Sequence, residues 1–454
     1  MKRNEANDGP FALGKMALNS PHIPYLDPNG PGGYAVTDNE TTGGAGFFNL
    51  VAFNDYRYQY NKLDFNSVFA NFYGELELAK GLKFKTSYGV DFLQNNGHQK
   101  LGQLSLATAE GSLSPANFKF ETTNKLTTTF SNILTYQTDF GKHNLKLLAG
   151  HEETNYEFEF RGMTGFGLSN RAVELVSTAG SSTVVDDLDH WAIRGFLGRV
   201  NYSFDSKYYL TANLRYDSSS RFSKDTRSDY FPSVSAAWRV SDESFMSNLD
   251  FINDLKLRAS YGTVGNQNTG TNFAYIPTLG LSVHYPIGVD QTAVRAPVPY
   301  FFANPGLKWE TSEQIDIGFD AVLFDGSVSA TVDYYKKTTK DMLVEVPIPS
   351  TSGFLPNANV NAGSVENSGI ELSLSYMRAV SDDFDFSLSA NLTTINNEVT
   401  DLAGSEIITG IFGGQSHRTI EGYEIGHFYG YKTDGIFQTQ SEICLLYTSP
   451  SPRD

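Results

Sequence analysis

Chemistry-bearing residues are plentiful in this chain, but few stand at the spacings that catalysis requires. His151-Glu152-Glu153-Thr154-Asn155 opens like a zincin motif. Asn155 stands where the second histidine ligand is needed, and the surrounding alternation is that of a strand, not a helix. Gly162-Met163-Thr164-Gly165-Phe166-Gly167 is glycine-rich but lacks the strand–turn–helix setting in which backbone N–H groups cradle a phosphate, so it reads as a loop. Asp186-Asp187-Leu188-Asp189-His190 gathers oxygen ligands of the kind Ca²⁺ takes; an acidic solvated loop is the plainer reading. There is no Gly-x-Ser-x-Gly elbow and no P-loop. The carboxylates are too numerous and too scattered to single out a glycosidase pair. No catalytic residue, metal site or cofactor is therefore nominated, and the chain is expected not to be an enzyme.

What the residues do offer is a surface for non-covalent binding. Arg215, Asp217, Lys256, Arg258, Asp316, Asp320, Asp333 and Glu371 fall on the polar side of stretches that alternate with period two. From Arg194 to Asp217, Phe196, Val200, Tyr202 and Phe204 share one face. After the turn Asp205-Ser206-Lys207, Tyr208, Leu210, Ala212, Leu214 and Tyr216 share another, opposite Thr211, Asn213, Arg215 and Asp217. This is an antiparallel hairpin. The pattern recurs around 68–92, 130–147, 234–261, 315–334 and 370–392. No segment of ordinary length has helical periodicity; Asp242–Leu249 is expected to make one helical turn.

Connection lengths then set the architecture. Short turns near 79–81, 139–144, 205–207, 324–327 and 378–383 alternate with long connections near 93–125, 162–190, 263–314 and 336–368. An outer-membrane barrel alternates in this way, and the strands are expected to be about 9–11 residues, the length a tilted strand needs to cross a bilayer. The polar face then lines a wet lumen while the apolar face meets lipid. Tyr202, Phe204, Tyr208, Tyr216, Tyr334 and Tyr335 near strand ends are expected to form an aromatic girdle. The alternative is a large soluble β-sandwich with one wet face per sheet.

Composition agrees. The 454 residues carry 34 Lys+Arg against 51 Asp+Glu, a formal charge of −17, the opposite of a nucleic-acid footprint. Aromatics reach 13% and charged residues only 19%, which excludes an acidic disordered chain. The single cysteine, Cys444, excludes a disulfide scaffold and a cysteine zinc site. No apolar run approaches the ~18 residues of a membrane-spanning helix.

Both ends depart from the pattern. Met1-Lys2-Arg3-Asn4-Glu5 turns polar at once, with no apolar signal-peptide core behind it. Cys444–Asp454 breaks the preceding composition and back-translates to the transposase adapter of sequencing libraries. The expectation is a barrel segment over 1–443 and a non-native tail over 444–454.

Several runs resemble the SusC/RagA family of TonB-dependent outer-membrane transporters. They include Asn213-Leu-Arg-Tyr-Asp-Ser-Ser-Ser-Arg-Phe222, Tyr230-Phe-Pro-Ser-Val-Ser-Ala-Ala-Trp-Arg239, Leu255–Gln267, Asn304-Pro-Gly-Leu-Lys-Trp-Glu-Thr311, Asp333–Thr338, Asn361–Glu371 and Glu421–Tyr431. The likeness is most specific from about 194 to 443. It implies an all-β, antiparallel transmembrane barrel of about 22 strands, of which this chain holds roughly 14, without the plug that fills such barrels. It further implies location in the cell outer membrane, import of a glycan or peptide, a SusD-like surface lipoprotein as partner, and energy from the TonB complex through an N-terminal region that this chain lacks. Under this resemblance Arg215, Asp217 and Arg221 sit at an extracellular strand end. Lys256, Arg258, Asp316, Asp320 and Asp333 line the wall, and Tyr285, Phe301 and Phe302 are candidates for stacking on sugar rings. The competing class is a β-rich surface binding or adhesion protein without energy coupling. A soluble glycan-active enzyme is the third, remotest reading.

Overall fold

The alternation is realised as one long antiparallel ladder. The computed structural model describes residues 2–5, 26–29, 33, 60–101, 116–168, 175–268, 272–299, 303–346, 351, 358–381, 384–404, 407–409 and 416–430. Strands β1 (Lys2–Glu5), β2 (Tyr60–Ala79), β3 (Leu82–Leu101), β4 (Ala116–Phe140), β5 (His143–Leu168), β6 (Ser181–Phe204), β7 (Tyr208–Ser219), β8 (Ser228–Arg239) and β9 (Ile252–Asn266) pair in chain order. A separate hairpin follows, β10 (Leu279–Ile287) with β11 (Thr292–Pro299). The ladder then resumes with β12 (Glu310–Leu323), β13 (Val328–Val346), β14 (Ala358–Ser381), β15 (Phe384–Thr393) and β16 (Asn396–Leu402). A small sheet of β17 (Ile407–Thr409), β18 (His417–Thr419) and β19 (His427–Phe428) ends the described chain. The path of the large sheet runs from β1 to β15 without closing on itself.

β15 and β16 are two pieces of one strand. Both lie along β14, with Glu371 opposite Thr393 and Ser368 opposite Asn396. The break at Thr394-Ile395 turns the Thr394 carbonyl toward Gly369, where a Cβ would stand 2.0 Å from its oxygen. The Ile370 N–H instead donates to Thr394 Oγ1 at 3.0 Å.

Each strand presents one apolar and one polar face. Phe72, Leu76, Phe130, Leu134, Phe196, Val200, Leu214, Val234, Leu257, Ile317, Ile370 and Leu374 are all exposed. An aqueous sheet would hide such residues; a barrel turns them to lipid. Buried apolar clusters among the described residues are small. The largest joins Phe222, Phe231, Ala274, Leu307 and Trp309, where 303–309 folds back onto the sheet. Trp309 Nε1 donates to the Arg227 carbonyl at 2.9 Å, and Thr226 Oγ1 to the Leu307 carbonyl at 2.6 Å.

Strand length differs from expectation. β4 and β5 run 25 and 26 residues, well beyond the ~9–11 needed to cross a bilayer. Much of the stretches 93–125, 162–190 and 336–368 is therefore strand. Beyond the apolar zone apolar and polar residues mix on both faces, as at Phe158, Phe160, Met163 and Val184, so the period-two contrast fades while backbone pairing continues. The glycine-rich run from Gly162 and the acidic run Asp186–His190 lie in β5 and β6 respectively, not in loops. Asp242–Leu249 holds one 3₁₀ turn, Ser244–Met246, directly after another at Val240–Asp242.

At the short-turn end the rings of Phe140, His143, Phe204, Tyr208, Trp238 and Phe245 follow one another at centroid distances of 4.8–6.4 Å. Tyr216 and Tyr230 pair at 4.7 Å toward the other end. Tyr335 leaves the expected girdle: Asp333 and Tyr335 share the polar face, and Tyr335 Oη approaches Gly369. Glu243, in the β8–β9 connection, ties the ring series to the turns. It accepts from Tyr208 Oη at 2.6 Å and Trp238 Nε1 at 3.2 Å, with Lys207 Nζ at 3.5 Å. The Tyr208 hydroxyl, then the Trp238 indole, hold its carboxyl below the usual range. A depressed carboxyl contributes stability that is complete above the unfolded value, near 4.3, and is lost as pH falls through the folded value. Glu243→Gln is expected to flatten the acid limb of a melting-temperature profile below about pH 4.5 and to leave the Lys207–Asp205 turn intact; an unchanged acid limb would refute the assignment.

Candidate ligand-facing wall

Register brings the charged residues of the polar face together in two similar clusters. In the first, Arg258 on β9 lies opposite Gly318 on β12, which lies opposite Asp333 on β13. The Arg258 guanidinium reaches across the glycine. Its Nε donates to Asp320 Oδ2 at 2.8 Å and its Nη2 to Asp320 Oδ1 and Asp333 Oδ2, both at 3.1 Å. Thr331 Oγ1 donates to Asp320 Oδ1 at 3.1 Å. A Cβ at Gly318 would stand 1.9 Å from Asp333 Oδ1 and 2.6 Å from the Val332 carbonyl oxygen.

The second cluster repeats the device. Glu152 on β5 lies opposite Gly195 on β6, which lies opposite Asp217 on β7. Arg215 Nε donates to both Asp217 oxygens at 2.8 Å, and its Nη2 crosses Gly195 to Glu152 Oε1 at 3.1 Å. A Cβ at Gly195 would meet Asp217 Oδ1 and Arg215 Nη2 at 2.4 and 2.7 Å. In both places a strand glycine lets a guanidinium span three strands, the close approach that a glycine inside a strand signals. Ionised donors and acceptors make the stronger hydrogen bonds, but these groups are partly solvated, so screening keeps their net stabilisation modest.

The other expected residues are placed as follows. Asp316 and Lys256 share the polar face of β12 and β9 with the Arg258 cluster; Lys256 Nζ lies 5.4 Å from the Tyr209 ring. Arg221 follows β7 at the long-connection end, 5.1 Å above the Trp191 ring. Trp191 lies opposite Tyr156 and stacks on it at 5.4 Å and 19°. Burial lowers the Arg221 pKa, and Asp189 opposes that shift. Tyr285 is exposed on the β10–β11 hairpin, away from both clusters. Phe301 and Phe302 lie outside the described residues, as do 444–454. Among the described residues no group of three or more His, Asp or Glu is arranged to hold a metal ion, and consecutive carboxylates of Asp186-Asp187 point to opposite faces of β6.

Sequence reading did not single out Glu152, Gly195, Gly318, Trp191 or Tyr156 for this wall. Glu152 was masked by its place in an apparent metal motif. The glycines were visible as interruptions of strands, without a sign of what they faced.

Long antiparallel strands with an apolar exterior, an ion-paired interior, and short turns at one end define a transmembrane β-barrel wall. The chain belongs to the TonB dependent receptor-like β-barrel family, whose model matches residues 8–417. TonB-dependent receptor P3 of Formosa agariphila is 34% identical over 380 residues, covering 81% of this chain and 37% of that protein. TonB-dependent receptor SusC of Bacteroides thetaiotaomicron is 36% identical over 214 residues, 46% of this chain and 21% of SusC. The solved RagAB peptide transporter superposes with a TM-score of 0.72 at 27% identity, over 82% of this chain and 40% of that one. The chain thus spans about two fifths of the P3 and RagAB chains, and the family is one of outer-membrane proteins.

The two glycines differ in a testable way. At Gly195 a methyl group meets only side-chain ends, whereas at Gly318 it also meets a backbone oxygen. Gly318→Ala is expected to lower the denaturant midpoint of the folded barrel by an overpacking cost of about 1–3 kcal/mol, and Gly195→Ala by less. Equal midpoints for the two variants would contradict this geometry.

Proposed function

We propose that the chain forms part of the barrel wall of an outer-membrane importer for a glycan or peptide. In this reading TonB supplies energy through a region outside the chain, and a SusD-like surface lipoprotein covers the long-connection end. The observation that carries the reading is the division of faces: lipid-compatible side chains outside, and two arginine–carboxylate clusters on the polar wall within. The relatives are named receptors and transporters, which supports a binding and passage role over catalysis. Arg215, Asp217, Lys256, Arg258, Asp316, Asp320 and Asp333 then line the ligand's route. Residues 1–443 are the native segment in this reading, and Cys444–Asp454 is adapter-derived.

The orientation of the wall is tested at adjacent residues. Val234 sits four residues from Tyr230 and four from Trp238, midway between the aromatic ends of β8; Ser235 points to the other face. In the complete receptor folded in lipid vesicles, Val234→Arg is expected to cost about 2–4 kcal/mol, as for arginine at the midplane of a lipid-facing barrel surface. Ser235→Arg is expected to cost little. The reverse order would place the polar face against lipid and end the barrel reading.

Import is tested in cells expressing the complete receptor with its neighbouring lipoprotein, with and without TonB. Accumulation of a labelled oligosaccharide or peptide is expected to disappear without TonB. Surface binding that is equal in both strains, with no accumulation in either, favours the adhesion reading instead.

A further inference from the structure

We propose that Arg221, seated on Trp191 at the long-connection end, receives a carboxylate of the ligand, so that this receptor takes an acidic cargo. The chemistry suits a uronic-acid oligosaccharide, or a peptide through its C-terminus or an acidic side chain. The inference rests on the importer reading only for the route by which the ligand arrives.

Arg221 is held as a receptor group is held. Its guanidinium carbon lies 5.1 Å over the Trp191 ring, and Trp191 is fixed by its stack on Tyr156. Its Nη1 donates to the Gln267 carbonyl at 3.4 Å and to Asn268 Oδ1 at 3.3 Å. Its backbone N–H donates to Ser219 Oγ at 3.1 Å. Face stacking and one amine therefore set the position and leave Nη2 for another acceptor. A guanidinium stacked by its face on an aromatic keeps its in-plane donors, here those of Nη2, for an anion, which lysine cannot do.

No carboxylate among the described residues pairs with it. Arg215 and Arg258 each hold two carboxylates; Arg221 has none within ion-pair distance. Asp189, the carboxylate that acts on it through space, accepts from the Asn272 amide instead. Arg221 Nε is enclosed without an acceptor, and so is Arg227 Nε at the other end of the same loop. Enclosed donors are ordinarily satisfied; neither Nε is spent on a carboxylate among the described residues, and the donor left for a ligand is Nη2. The loop 220–227 carries Arg221, Lys224 and Arg227 against Asp225 alone. On a chain of net charge −17 the loop itself carries an excess of cations, with Asp189 of β6 acting on Arg221 through space.

The test uses the complete receptor in detergent, with two pairs of probes. One pair is trigalacturonic acid and its methyl ester; the other is tetra-alanine with a free or an amidated C-terminus. Calorimetry is expected to give at least tenfold tighter binding of one acid than of its neutral counterpart. Arg221→Gln is expected to abolish that difference, with an unchanged melting temperature reporting an intact fold; Arg221→Lys is expected to retain a reduced preference. The pair that discriminates identifies the source of the carboxylate. Binding of neither acid, equal binding of acid and neutral forms, or a preference that survives Arg221→Gln overturns the proposal. TonB-dependent uptake of a neutral cargo with no carboxylate preference would sink this inference and spare the importer reading. An Arg221-dependent preference without TonB-dependent uptake would do the opposite.

Discussion

The structure depends on one constraint: an antiparallel ladder whose register runs unshifted through the two charged clusters, its bulges lying elsewhere. From β9 through β12 to β13 the pairing advances without a slip where it matters, setting Arg258 beside Gly318 beside Asp333. Moving β9 by one residue would carry Arg258 to the apolar face and bring Leu257 or Ala259 into the polar one. The same holds at β5, β6 and β7, where Glu152, Gly195 and Asp217 fall in line. The ladder places the charges, and the charges penalise every other placement of the ladder. Each cluster joins three strands through one guanidinium, so its value lies more in fixing register than in net stability. Half-solvated ion pairs contribute little by themselves, whereas stranding one partner on a lipid-facing surface is costly.

The aromatic ends serve the same constraint from outside. The ring series from Phe140 to Phe245 crosses five strand ends and two turns, and Glu243 stitches it to the β8–β9 connection. At the other end the ring contacts form separate groups, as at Tyr156–Trp191 and Tyr216–Tyr230, and the strands continue past the latter. The difference follows from the connections: short turns bring successive strand ends together at one depth, whereas long connections let the backbone pair far beyond it. The fold-back of 303–309 onto Phe222 and Phe231 then covers part of the polar mouth with the largest buried apolar cluster among the described residues.

Much of this was legible in the residues. Alternation gave the strands, their faces and the order of short and long connections, because a sheet that is apolar on one side must show period two. Legibility stopped where that contrast stops. Leu101, Ala116 and Leu168 end or begin strands in stretches that looked like loops, since a strand mixed on both faces has no hydrophobic rhythm. Asp186–His190 is strand for the same reason. Tyr335 was assigned to the girdle by residue type, although its neighbour Tyr334 already occupied that face; alternation alone forbids both. The wall charges were found as a set that already held Asp217, Asp320 and Asp333, but not the fourth carboxylate, Glu152. Glu152 and Gly195 belong to strands distant in sequence from Asp217, and only register brings them to it.

Under the proposed importing role, the two kinds of arginine on this wall would divide the work of capture and passage. Arg215 and Arg258 lie within the sheet, each already neutralised by two carboxylates, with Asp316 and Glu371 adding acid near the second. Arg221 lies at the mouth without such a partner. An anionic ligand that meets Arg221 first therefore finds no second free guanidinium at either wall cluster. Passage through a pore requires binding strong enough to enter and weak enough to leave. A wall whose arginines were open would trap a carboxylate at each step; one whose arginines are answered from neighbouring strands does not. The glycines opposite those arginines are what make that answer possible. The close packing at Gly195 and Gly318, which fixes register in the sheet, would under that role also keep the inner wall from competing with its own entrance.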